Sequence, residues 1–108
     1  LARLAVVPMV LEARGLDVTP ATVERARAGG DGPTARILHR IYTDEIRHVS
    51  AGTRWFQQRC KIDRIIPAAH WQTLVRRHFR GAVKPPFNDS ARASAGLTRD
   101  YYGPLAQS

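Results

Sequence analysis

Residues 33–59 read PTARILHRIYTDEIRHVSAGTRWFQQR, and the way this stretch winds decides the fold. At about 100° per residue around a helix axis, Arg36, Arg40, Arg47 and Arg54 fall within about 40° of one another, which is a solvated face. Leu38, Ile41, Gly52 and Phe56 fall opposite them, with Trp55 at the edge of that stripe. Glu45 lies at the centre of the apolar stripe and His48 beside it, while the arginines point the other way. Glu45-Ile46-Arg47-His48 has the form Glu-x-x-His, which sets a carboxylate and an imidazole side by side one helical turn apart.

The segment before it repeats the pattern. Leu1 to Ala13 is apolar apart from Arg3 and Glu12. Arg3 and Arg14 share one face, and Glu12 shares the other with Leu1, Ala5 and Pro8. An isolated buried carboxylate costs several kcal/mol or takes up a proton. Two of them in one small core call for a compensating positive charge, and a metal ion supplies it. Glu12, Glu45 and His48 are therefore the candidate metal ligands. A single Glu plus one Glu-x-x-His is half of the ligand set that di-iron carboxylate bundles use. Two such halves set four carboxylates against two divalent cations. The plainer alternative pairs Glu12 and Glu45 with arginines of other helices and makes His48 a hydrogen-bonded core histidine.

Around these segments the chain is punctuated as an all-α protein. Pro8 interrupts the first helix, and Gly15 is placed to end it in a left-handed turn. Thr19-Pro20 reads as the cap and first position of a short basic helix running to about Ala28. Gly29-Gly30-Asp31-Gly32 is a loop. After Cys60 and a connector at 61–66, Pro67 opens a helix to about Arg80 with Trp71, Leu74, Val75 and Phe79 at helical spacing. Lys84-Pro85-Pro86-Phe87 is extended, and Asn88 and Thr98 cap two short helices separated by Gly96. No alternating strand pattern of useful length appears.

At 108 residues and 44% apolar composition the chain is one small globular domain. One cysteine excludes a disulfide framework and a cysteine-cage zinc site. No segment approaches a membrane span and no signal peptide opens the chain, so a cytoplasmic setting is expected. The sequence begins inside an apolar helical pattern without methionine, as part of a longer protein would.

The segments LAVVPMVLEARGLD (4–17), IYTDEIRHVSAGTRWF (41–56) and HFRGAVKPPFN (78–88) resemble, in the same order, a bacterial ferritin-like family named only as domain of unknown function 455. The resemblance implies the C-terminal half of a four-helix ferritin-like bundle. Residues 1–60 would form half of the bundle with its ligand residues, and 61–108 a helical extension packed on it in the same domain. Glu12 would be the single carboxylate of the third principal helix, and Glu45 with His48 the pair of the fourth. Relatives in the wider superfamily store iron, oxidise substrates with dioxygen or hydroxylate modified transfer RNA. The expected function is thus a di-metal carboxylate protein, with iron or manganese as cofactor and dioxygen-dependent oxidation of an unspecified substrate as its reaction. The N-terminal half of the same protein, or a second copy forming a homodimer, would complete the site.

The formal charge of +8 leaves a second reading open. Between Arg59 and Lys84 there are seven basic side chains against one acid, Asp63. Arg76, Arg77 and Arg80, with His70 nearby, suit a non-enzymatic module binding RNA or another acidic partner. A solvated face is the plainer account, and no recognisable nucleic-acid motif supports the patch. His78, on the side of Trp71 and Val75, is expected to be buried with one hydrogen bond. His39 lies off the core stripe, Cys60 reads as an inert core residue, and Tyr42 either orients a ligand or packs.

Overall fold

The computed structural model describes residues 1–106, and among them every regular element is helical. Six α-helices follow one another: α1 (Ala2–Val6), α2 (Ala13–Ala28), α3 (Gly32–Ile62), α4 (Pro67–His78), α5 (Asp89–Ser94) and α6 (Arg99–Ala106), with a π-helical segment, Val7–Glu12, between α1 and α2. The all-α expectation holds. At about 1.5 Å per residue, α3 alone accounts for nearly all of the 50 Å long dimension of the molecule.

The α1–π–α2 run lies antiparallel along α3. Gly15 faces Glu45 and Pro8 faces Gly52, while Leu4 shares a cleft with Gln58 at the far end. The hairpin between them closes where Gly30 takes a left-handed φ of 80°, which glycine adopts without a side-chain clash. The amide of Asp31 then bonds back to the Ala26 carbonyl at 2.9 Å. Asp31 caps the next helix by accepting from the Thr34 amide at 3.1 Å, and the Thr34 side chain, followed by that amide, holds its carboxyl below the usual range.

Two expectations about the first helix are corrected. Gly15 does not end it, and Thr19-Pro20 does not begin another, because α2 runs unbroken through all three residues. Pro20 carries no N–H, so the Leu16 carbonyl loses its helical donor. The Asn88 side-chain amide replaces that donor, reaching the Leu16 oxygen at 3.1 Å. A contact from 72 residues away thus removes the reason to break the helix. Pro8 acts as an interruption, though by widening the helix rather than ending it. The Ala13 amide bonds to the Pro8 carbonyl five residues back, the spacing of a π turn.

The C-terminal elements are tied to this hairpin by one buried carboxylate. Asp17, fully buried, accepts from Arg92 Nε at 2.8 Å and Nη2 at 2.6 Å, and from the Asn88 amide at 2.8 Å. Asn88 caps α5 by accepting from the Ala91 amide at 3.2 Å, as expected, and its Nδ2 also donates to the Tyr42 hydroxyl at 2.9 Å. The Arg92 guanidinium also lies over the rings of Tyr102 and Phe87 at 4.5 and 5.0 Å, a cation–π contact that adds to the ion pair. The main core gathers Met9, Leu16, Phe56, Trp71, Leu97 and Tyr102, and the Trp71 indole donates to the Ala5 carbonyl at 3.0 Å. Burial raises the Tyr102 hydroxyl to about 12, helped by its bond to the Asp89 carboxylate. Among the described residues no helix is long and apolar enough to cross a membrane.

Candidate metal centre

Helix α3 presents three faces where the sequence pattern suggested two. Its core face carries Ala35, Val49, Thr53, Phe56 and Cys60, all buried. Its arginines form a second, solvated face. A third line runs Ile41, His48, Trp55, Ile62 at intervals of seven, with Ile37 alongside, and its four apolar members are exposed, Trp55 at 68%. An exposed apolar line of this kind along one helix face is a surface, or seam, that a further element can cover. The expected apolar stripe through Leu38, Ile41, Gly52 and Phe56 is the average of the core face and this seam. Glu45 sits at the boundary between them, which is why it appeared central.

The ligand residues converge across the antiparallel pair. Ligand atoms of Glu12, Glu45 and His48 all lie within 4.8 Å of one another. Glu12 ends the π segment. Gly15, one turn further on, faces the same point, since a β-carbon there would stand 3.7 Å from the Glu45 side chain. His48 Nδ1 is 3.9 Å from Glu45 Oε2, close enough to share a cation and too long for a hydrogen bond. Among the described residues no lysine or arginine comes within ion-pair distance of either glutamate. Arg14 turns away to Asp17 at 3.3 Å and to the carbonyls of Lys84 and Pro86 at 2.8 and 3.1 Å.

The arrangement leaves negative charge uncompensated. Burial pushes the Glu45 carboxyl above its ordinary range, the neighbouring Glu12 charge pushes it further, and only His48 acts against them. Two carboxylates and an imidazole within coordinating reach are a hard-to-borderline donor set that suits iron or manganese. Burial is less complete than the sequence suggested. Glu45 keeps 22% of its side-chain exposure and His48 keeps 63%, because His48 belongs to the seam and not to the core. The cluster opens on the same side as the exposed apolar line.

The remaining singled-out residues take structural positions. Tyr42 anchors Asn88 and packs against the core. Cys60 is buried, with its thiol pushed up chiefly by that burial, as expected of an inert residue. His70 stacks on Phe56 with centroids 6.1 Å apart, and His39 tilts against Tyr42 at 6.2 Å. His78 is exposed, contrary to expectation. It is the last residue of α4, and the backbone turns extended at Phe79 before another element can cover the ring. Arg76, Arg77 and Arg80 are exposed, while Arg59 pairs with Asp63 at 3.1 Å. Asp17, the most connected acid in the molecule, carried no sequence signal beyond following Leu16, because all its partners but Arg14 lie some 70 residues on.

An uncharacterised protein of Haemophilus influenzae is 36% identical over 97 residues, covering 90% of this chain and 34% of the relative. The chain thus spans about a third of the length of the curated relative it matches. No solved structure matches it. The sequence profile of the family described as "Protein of unknown function (DUF455)" matches residues 1–103, nearly the whole chain. The profile and this relative together establish that the chain belongs to the DUF455 family.

Proposed function

We propose that this chain contributes Glu12, Glu45 and His48 as half of the ligand set of a ferritin-like di-metal carboxylate centre, with iron or manganese as the metal. The observation that carries the reading is the convergence of three ligand atoms within 4.8 Å of one another, with no lysine or arginine among the described residues paired to either carboxylate. The exposed heptad line beside the cluster supports completion by further helices. Those helices come from the N-terminal half of a longer polypeptide or from a second copy of the chain, and a symmetric pair would bring four carboxylates and two histidines together. A metal bound there supplies open coordination positions for dioxygen or substrate, so the reaction class is oxidation of an organic substrate.

Metal analysis of the full-length protein tests the assignment. Metal should be present in the unaltered protein and lost in both Glu45→Ala and His48→Ala. Equal metal content in all three proteins would overturn it. The exposed Arg76, Arg77 and Arg80 favour one rival reading, a module that binds RNA through its backbone phosphates. That reading requires RNA binding that weakens steeply with added salt, and salt-insensitive or absent binding removes it.

A further inference from the structure

On the far side of the π segment from α3, a chamber of about 220 Å³ opens between Val10 and Trp71 on one wall and Phe79, Val83 and Phe87 on the other. Its lining is mostly apolar and aromatic. The charged groups that reach it are Arg14, Lys84 and Arg92, and no acidic side chain lines it. Arg14 and Arg92 both bond to the single carboxylate of Asp17. Lys84 has no ion-pair partner among the described residues. One negative charge therefore answers three positive ones around an apolar hollow.

Size and charge together define the occupant. An apolar cavity of roughly 150 Å³ holds benzene, so this one takes a single ring or short alkyl chain with a small polar tail. An anionic tail would gain from the positive excess at the rim, which a neutral hydrocarbon would not. The guanidinium of Arg92 is buried and grips Asp17 through Nε and Nη2, and Arg14 is held through Nη1 by Asp17 and two carbonyls. The exposed Lys84 ammonium is paired with no acid among the described residues and is the group placed to meet an anion. We propose that this chamber is a binding site for a small hydrophobic carboxylate, its apolar body against Val83 and Phe87 and its carboxylate at Lys84. The inference stands apart from the metal reading, because it uses the opposite face of the π segment and none of the three metal-ligand residues.

Fluorescence of Trp71, buried at the back of the chamber, reports on its filling once the exposed Trp55 is replaced by phenylalanine. Phenylacetate should change the emission saturably in the Trp55→Phe chain, and 2-phenylethanol, of similar shape without the charge, should bind more weakly. Lys84→Gln, an exposed substitution that leaves the core intact, should lower phenylacetate affinity about tenfold, the loss of one favourable charge contact, with little change for the alcohol. Val83→Phe should fill the chamber and abolish both signals while circular dichroism remains helical. Absence of a saturable signal, or equal binding of the two probes in both the parent and Lys84→Gln proteins, would overturn the proposal.

Discussion

At the scale of single residues, Glu45 is where sequence, electrostatics and function meet. Its carboxyl titrates above the ordinary 4.5, so the folded state holds the proton more tightly than the unfolded chain does. That difference stabilises the fold fully below about pH 4.5 and is lost as pH rises through the folded value. In metal-free protein, Glu45→Gln should therefore raise stability at pH 7, by less than about 1 kcal/mol because the group is partly solvated. The gain should vanish in acid. With iron or manganese present the order should reverse, because only the unaltered protein gains from binding. Thermal melts at two pH values, with and without metal, measure both effects. A Gln variant less stable than the parent in metal-free protein at neutral pH would contradict the electrostatic account.

At the scale of elements, two glycines face the antiparallel partner helix, and only one of them, Gly52, is required by its close approach. A β-carbon at Gly52 would overlap the Pro8 ring, whereas one at Gly15 would meet only the Glu45 side chain at ordinary contact distance, 3.7 Å. Gly52→Ala should thus destabilise by about 1–3 kcal/mol through overpacking. Gly15→Ala should stabilise by about 0.5–1 kcal/mol, since alanine is the better helix former. Denaturant unfolding separates the signs. Gly15 also misleads as a sequence signal: it reads as a helix terminator but lies inside α2. Pro20 misleads likewise, because the donor it lacks is replaced by Asn88.

At the scale of the whole molecule, the Asp17–Arg92 pair joins the α2–α3 hairpin to the C-terminal third. Removing one member of a buried ion pair strands the other, at a cost of about 3–5 kcal/mol. Asp17→Asn should lower stability by that order in a urea melt, and Arg92→Leu should cost no more, since it leaves the carboxylate paired with Arg14 and the Asn88 amide. The heptad line Ile41, His48, Trp55, Ile62 works at this scale too. It places one proposed metal ligand in a seam that a further helix would cover, so cluster and seam would be completed together.

The helical class, the Asn88 cap, most of the loop at residues 29–32 (Gly32 instead opens α3) and the placing of Glu45 beside His48 were legible in the chain, because each depends on spacing within one segment. The approach of Glu12 to that pair depends instead on how two helices pack. The tertiary structure alone decided that α2 passes through Gly15 and Pro20, that α3 has two apolar faces, that His48 lies in the outer one, and that Asp17 is the hub of the C-terminal third. Each of those depends on which distant group arrives to bond a carbonyl, fill a gap or answer a charge. A one-dimensional pattern averages over such partners, and only the folded chain brings them within reach.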